Sequence, residues 1–446
     1  MSHLCDTARS VLGRLDDDRH WRVILTGLLM VAFSLRLAAA LVIPIEYRFD
    51  PDAVLYVSIA DNLLESGAFG ADPGIPYALI PPIYPLFIAC IFAVTNQGLL
   101  AVRLVQALLG TLIVWLVYCT GAETATRRAG LFAALLCTVY PVWIIWPALF
   151  LTETVYTVLL LGFVWCLIRS LQAHSIRYTL LAGVLFGLAL LTREVLLAFI
   201  LLLPVALWWS RASWRRTWRH LLLFAVTSLL TVTPWLARNY STFGAVFFTD
   251  RTEAIRYQLT GSGHLSARYS YLADKSISPP PLRKPPDFYE RFGEPSEWIS
   301  AKHLLGSPAT YFRHLGNRLV ELWLHPVGLY SLPDNQIVRA LYVAFQVGML
   351  AFSSWGILVG IRQRSIPTGT STLLLMYVTG TSAIVTMPNP RYTLPALPLI
   401  FVLSVSGASS ICSSLKGTDA VRKPAASEAQ GSLAGCETHG DRSSTS

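Results

Sequence analysis

The sequence predicts an all-α polytopic membrane protein, and three observations carry that reading. Of the 446 residues, 54% are hydrophobic and only 14% are charged, whereas an ordinary soluble domain carries about a quarter charged residues. Mean hydropathy is +0.52, and the apolar residues come in runs long enough to cross a bilayer rather than in short amphipathic stripes. The basic residues sit at the ends of those runs, where the positive-inside rule places them. The formal charge of +9 is therefore not a nucleic-acid signature.

The elements follow in chain order. Residues 1–20 form a cytoplasmic N-terminal segment with Arg9, Arg14 and Arg19. The run from Trp21 to Ile43 is too long for a signal-peptide core and lacks a small-residue cleavage site, so it reads as a retained span. Taking roughly 20 residues per crossing, further spans fall at about 100–120, 129–147, 152–170, 178–192, 194–210, 220–237, 338–361, 371–387 and 392–412. With the N-terminus inside, the clusters Arg127/Arg128, Arg169/His174/Arg177, Arg211/Arg215/Arg216/Arg219, Arg362/Arg364 and Lys416/Arg422/Lys423 all lie inside. The apolar stretch Pro82 to Thr95 is about 14 residues, short for a crossing, and is placed on the outer side at the membrane edge.

The membrane domain thus covers 21–412, with outer loops at 44–99 and 238–337. The second loop contains the Pro-rich stretch from Ser278 to Pro286, which no regular helix or central strand accommodates. After it, Ser296 to Leu324 has helical spacing, with Trp298, Tyr311, Phe312, Leu315, Leu319 and Trp323 as an apolar stripe for the membrane surface. Residues 413–446, rich in Ser, Ala, Gly and Thr, read as a disordered cytoplasmic tail. Cys90, Cys119, Cys137, Cys166 and Cys412 lie in or beside apolar segments, and Cys5 and Cys436 lie in the tails. No disulfide framework, CxxC pair or zinc-like His/Cys cluster is present.

Ionisable residues collect at one membrane face. Asp50 and Asp52 follow the first span, Glu153 opens another, Arg193 lies between two, Arg238 ends one and Arg391 begins the last. All fall at the outer interface under this topology. Charges at that depth are costly to desolvate and are functional candidates by default. Each also has a structural reading. Arg238 and Arg391 would serve as snorkelling anchors, Glu153 would pair with Arg193, and Asp50 or Asp52 would cap the helix that follows Pro51. Arg36 and Arg103 read as snorkelling or helix-packing residues rather than ligands. The Asn239-Tyr240-Ser241 sequon abuts the membrane and carries little weight.

At these residues the chain resembles the polyprenyl-phosphate-sugar-dependent glycosyltransferases of the GT-C class, in particular the bacterial branch related to protein O-mannosyltransferases and the lipid A aminoarabinose transferase. The likeness runs from about Ile24 to Val405. Its most specific piece is Pro51-Asp52-Ala53-Val54-Leu55-Tyr56 with Gly67-Ala68-Phe69-Gly70, followed by Pro81-Pro82-Ile83-Tyr84, Pro234-Trp235 with Arg238-Asn239-Tyr240, and Arg391-Tyr392 with Pro395. Leu79-Ile80 stand where aminoarabinose transferases have an acidic-basic pair, and Ala53 follows Asp52 where eukaryotic protein mannosyltransferases have a second acid. The likeness is to the class rather than to one acceptor.

The resemblance implies a GT-C bundle of about ten transmembrane helices with outer juxtamembrane helices. It implies inverting transfer of a sugar from a polyprenyl phosphate to a protein, lipid or glycan hydroxyl at the outer face of a bacterial inner membrane. Asp52 takes the role of base. Arg391 and Arg193, with Tyr392 and Arg238, take the donor phosphate. Asp50, Tyr56 and Glu153 orient substrate, and Glu153 and Asp50 are also the residues to hold a divalent cation if one is used. No nucleotide or nucleic acid enters. The competing reading is a transporter or lipid flippase, which predicts ionisable residues near the bilayer midplane and a repeat between halves. No repeat is visible in the sequence.

Overall fold

In the computed structural model of the chain, residues 20–45, 50–72, 74–205, 214–249, 305–325, 336–384 and 389–421 are described. Among them the regular structure is helical: α1 His20–Val42, α2 Pro51–Ser66, α3 Ile83–Thr95, α4 Leu99–Thr124, α5 Arg127–Val139, α6 Pro141–Ile145, α7 Glu153–Ala173, α8 Ile176–Leu190, α9 Trp214–Phe243, α10 Pro308–Leu324, α11 Gln336–Gln363, α12 Ile366–Ile384 and α13 Leu397–Val421. Short 3₁₀ turns lie at Trp146–Ala148, Glu194–Leu202, Pro390–Tyr392 and Leu394–Ala396. Among the described residues six helices are long and apolar enough to cross a membrane, and α5 with α6 makes a seventh if that bent pair is one span. The protein is a multi-pass membrane bundle, and among the described residues fewer helices reach full spanning length than the roughly ten expected.

The differences have physical causes. The stretch 129–147 is one apolar run, but the chain turns by 69° between α5 and α6. Pro141 has no N–H to give to the Cys137 carbonyl four residues back. Arg36 of α1, fully buried, supplies the missing donor: its Nη2 lies 3.1 Å from that carbonyl, and Nη1 holds Ala32 O at 2.9 Å. Arg103 does the same for the end of α1, donating to Ala40, Ile43 and Pro44 carbonyls at 3.2, 2.6 and 2.7 Å. Both buried arginines thus serve helix ends, as their packing reading holds.

The stretch 194–210, expected as a span, is instead 3₁₀ over Glu194–Leu202. Tyr377 of α12 pins it, with its hydroxyl donating to Val195 O at 2.6 Å and accepting from Ala198 N at 3.2 Å. At 13 residues, α3 is about 20 Å long, against a hydrocarbon core of about 30 Å. The stripe expected on Ser296 to Leu324 is also revised. In α10 the line His314, Arg318 and Leu322 turns inward, and Arg318 Nη1 donates to Ala383 O at 2.9 Å. Phe312 and Leu319 stay exposed, whereas Trp323 packs on the core. A four-residue line is one face of a helix, and this face meets backbone carbonyls that need donors. Trp298 and the Pro-rich stretch lie outside the described residues. At the other end α13 continues past Cys412 to Val421, into what the sequence reads as tail.

Small residues let the last spans meet. A Cβ on Gly407 would lie 2.1 Å from Phe352 O, and one on Gly356 would lie 2.2 Å from Leu403 O. Only backbone fits at this crossing of α11 and α13.

Candidate active site

The segment between α1 and α3 builds a platform. Asp50 caps α2, its Oδ1 accepting from the amides of Asp52 at 2.9 Å and Ala53 at 3.4 Å. Pro51 takes the first helical position, where a missing N–H costs nothing. The two aspartates therefore divide their work. Asp50 fixes the helix start, and Asp52, one position on from the proline, faces Arg391. Gly67 ends α2 at φ 70°, and a side chain at Gly70 would collide with Ile75 O, 1.8 Å away. Asn62 closes the loop onto Gly70 O at 2.9 Å and Asp72 O at 2.7 Å.

Three arms from distant helices meet this platform. Glu153, at the first position of α7, is fully buried. Its Oε1 accepts from Arg193 Nη1 at 2.9 Å and from Arg391 Nε. Its Oε2 is buried and has no partner among the described residues. Arg193 sits in the extended link after α8, its guanidinium between the Tyr156 ring at 5.9 Å and the Tyr392 ring at 5.6 Å. Arg391 sits in the 3₁₀ turn Pro390–Tyr392, whose first amide is capped by Asn389 Oδ1 at 3.0 Å. Its Nη1 donates to Asp52 Oδ2 at 3.0 Å, and Asp50 Oδ2 lies 4.0 Å away.

One buried carboxylate thus holds two guanidiniums by one edge each. Arg391 Nη2, and Nε and Nη2 of Arg193, make no other hydrogen bond among the described residues. Asp52 keeps 39% of its side-chain surface while Arg391 keeps 18%, so the acid lies at the mouth and the cation behind it. Partial burial pushes the Asp50 carboxyl above the usual range, against the pull of Arg391 and with the push of Asp52. Burial, then Asp52, raises the Tyr56 phenol, so it is a neutral donor. The arrangement offers a carboxylate base beside forked cationic donors in a mostly dry setting, which suits an anion that leaves while a hydroxyl is deprotonated.

The structure brings together Asp50, Asp52, Glu153, Arg193, Arg391 and Tyr392, with Tyr56 one turn along α2. It does not bring Arg238 there. That guanidinium donates to Tyr77 O at 2.8 Å, Phe69 O at 3.2 Å and Asn239 Oδ1 at 2.9 Å, and it lies against the rings of Phe69, Trp235 and Phe243. It fastens the segment between α2 and α3 to α9. Asn239 is fully buried with its amide on the Phe247 and Phe248 carbonyls, so the sequon has no accessible acceptor nitrogen. Among the described residues no three His, Cys, Asp or Glu converge as metal ligands.

Sequence reasoning missed Gln106, and gave Ile83 and Tyr84 no role beyond their motif. Ile83 N, released by the two prolines before it, donates to Leu191 O at 2.9 Å, next to Arg193. Tyr84 donates to Gln106 Oε1 at 3.0 Å, and Gln106 Nε2 donates to Pro147 O at 3.1 Å and Leu149 O at 2.8 Å, on the approach to Glu153. A polar residue inside an apolar span was the available signal for Gln106.

A model of the family described as dolichyl-phosphate-mannose-protein mannosyltransferase matches residues 80–237. No curated protein matches the chain. Among solved structures, ArnT from Cupriavidus metallidurans bound to undecaprenyl phosphate is similar, with a TM-score of 0.53 and 15% identity, over 91% of this chain and 64% of that one. The archaeal oligosaccharyltransferase AglB from Archaeoglobus fulgidus, in complex with an inhibitory peptide and a dolichol-phosphate, is similar at TM-score 0.53 and 15% identity, over 89% of this chain and 51% of that one. The chain spans about two-thirds and half of the lengths of these two proteins. The likeness is one of fold, and that fold is the GT-C type expected from the sequence.

Proposed function

We propose, from the GT-C fold as premise, that this chain transfers a sugar from a polyprenyl phosphate to an acceptor hydroxyl at the outer face of the membrane, with inversion. One observation carries the reading: Glu153 anchors Arg193 and Arg391 side by side next to Asp52. The family match over 80–237, and neighbours solved with undecaprenyl phosphate and dolichol-phosphate, support a lipid phosphate as the anion.

In this mechanism the acceptor oxygen attacks the anomeric carbon and its proton passes to Asp52. The bond from that carbon to the phosphate oxygen breaks, and its electron pair stays on the phosphate. Arg391 and Arg193 stabilise the charge that develops there, and the donors they keep outside the Glu153 contact are the ones available for it. Tyr392 adds a hydrogen bond to the phosphate side. Asp50 holds the start of α2, and Tyr56 orients the sugar. Arg238 contributes by holding the first outer loop in place. The transferred group is a hexose or a pentose, the acceptor is a protein, lipid or glycan, and the membrane is a bacterial inner membrane with the site outside. The site lies where the ends of several helices meet rather than along one pathway, which favours transfer over transport.

The test is a panel of radiolabelled polyprenyl-phosphate sugars offered to membranes carrying the wild type or Asp52→Asn. Label that reaches a protein, lipid or glycan fraction only with the wild type supports the reading. A folded wild type that moves no label from any donor overturns it.

A further inference from the structure

Among the described residues, Gln106 and Tyr84 form a fully buried polar linkage beside the site that the proposed chemistry leaves unused. Gln106 is 0% exposed and so is Tyr84. All three polar bonds of the pair are well formed: the Tyr84 hydroxyl to Gln106 Oε1 at 3.0 Å, and Gln106 Nε2 to Pro147 O at 3.1 Å and Leu149 O at 2.8 Å. Its two ends touch the two halves of the site. On one side the Tyr84 ring meets the Tyr56 ring edge-on, with centroids 4.9 Å apart, and Tyr56 stands one helical turn after Asp52. On the other side the Pro147 and Leu149 carbonyls belong to the 3₁₀ turn and the residue after it, on the link that delivers Glu153 to the start of α7.

The carbonyls explain why an amide is needed. Pro147 and Leu149 lie in a 3₁₀ turn and the residue after it, so helix bonds do not satisfy them. A buried carbonyl without a donor is costly. Glutamine presents two N–H groups and one acceptor on a single flat group, so one side chain serves both carbonyls and the phenol. Leucine would serve none, and glutamate would place a carboxylate oxygen against a carbonyl.

We infer that Gln106, with Tyr84, is a positioning unit that sets the separation between Asp52 and the Glu153-anchored arginine pair. It touches no reacting atom. It acts by fixing α2 against the start of α7, through Tyr56 on one side and the 147–149 stretch on the other. The inference rests on the proposed function, since it assigns these residues an effect on that transfer. A displacement of about 1 Å between base and phosphate site costs on the order of 100-fold in rate. Bonds within the linkage therefore bear mainly on turnover, while the arginine pair, still held by Glu153, keeps its grip on the donor.

The experiment compares Tyr84→Phe, which deletes one hydroxyl and keeps the ring, and Gln106→Leu, which keeps the volume, in reconstituted vesicles. Readouts are kcat, donor KM and melting temperature. Met349→Ala, a cavity in α11 remote from the linkage, serves as a control for lost stability. The expected result is a fall in kcat of about 10- to 100-fold in both variants, with donor KM within about twofold, and no such fall in Met349→Ala at a comparable loss of melting temperature. Unchanged kcat in either folded variant overturns the linkage, as does a fall that simply follows melting temperature across all three. A wild type without transfer activity overturns the proposed function, and this inference with it. Wild-type transfer together with unaffected variants overturns this inference alone.

Discussion

Replacing Glu153 separates charge from geometry at the centre of the site. Both ionic bonds fall on Oε1, and Oε2 takes none among the described residues. Glutamine can place its amide oxygen at the Oε1 position and its NH₂ at the Oε2 position, so Glu153→Gln keeps both contacts and loses the charge. Glu153→Ala loses both, and leaves two guanidiniums, 14% and 18% exposed, with Arg193 stripped of its counter-charge and Arg391 held by Asp52 alone. Removing one partner of a buried ion pair costs about 3–5 kcal/mol. A hydrogen bond to a charged group contributes about 1.5–3 kcal/mol, so the amide recovers roughly half of the loss. If the deficit falls on how the arginines meet the leaving phosphate, kcat/KM drops about 30-fold for glutamine and by about two to four orders of magnitude for alanine. The assay is sugar transfer in vesicles, with melting temperature recorded to exclude unfolding. Equal damage from glutamine and alanine would refute the geometry in which one oxygen does the holding. Wild-type kcat/KM in both would refute the idea that the arginine pair needs an anchor.

Three further outcomes are expected. Asp52→Asn lowers transfer by about 100- to 10,000-fold through loss of the base, yet binds undecaprenyl phosphate about two- to fivefold more tightly, because a half-exposed ion pair worth up to about 1 kcal/mol no longer occupies Arg391; weaker lipid binding by this variant contradicts the assigned roles. Arg238→Lys keeps the charge but not the fork that spans Phe69 O and Tyr77 O, so melting temperature falls while donor KM stays within about twofold; a selective rise in KM would place Arg238 on the phosphate after all. Gly407→Val puts a side chain onto Phe352 O and separates α11 from α13, so the yield of folded protein in a thermal or protease assay drops sharply, and an unchanged yield would mean that the two helices do not meet there.

How far the sequence reaches depends on the kind of signal. Hydropathy and terminal charge mark α1, α4, α7, α9, α11 and α13, because a long apolar run has one stable answer in a bilayer. They say little about 194–210, since a wholly apolar run has no polar period to separate 3₁₀ from α-helix, and the Tyr377 contact that pins it comes from 182 residues further along. The bend at Pro141 was visible as a proline, but its relief by Arg36 was not. Asp52, Glu153, Arg193 and Arg391 stood out as ionisable groups at the ends of apolar runs, and the structure brings those four into contact. Arg238 carried the same signal and turns to backbone carbonyls instead. Charge at an interface announces a desolvation cost, and only the fold says whether a carbonyl or a cavity meets it. Tyr84 stood in the Pro81-Pro82-Ile83-Tyr84 motif without a role, and Gln106, a single uncharged amide inside an apolar run, escaped.

The contact between Asp52 and Arg391 joins residues 339 apart in the chain, which has a consequence for biosynthesis. Glu153 and Arg193 enter the membrane early in translation and wait there with one counter-charge between them. Their second cation arrives on the turn that opens the final span. A nascent chain that stalls or is cut before Arg391 leaves Asp52 without its cation and Glu153 with Arg193 alone. Assembly of the site therefore waits for the segment that carries Arg391, long after the helices that supply Asp52 and Glu153 have been made.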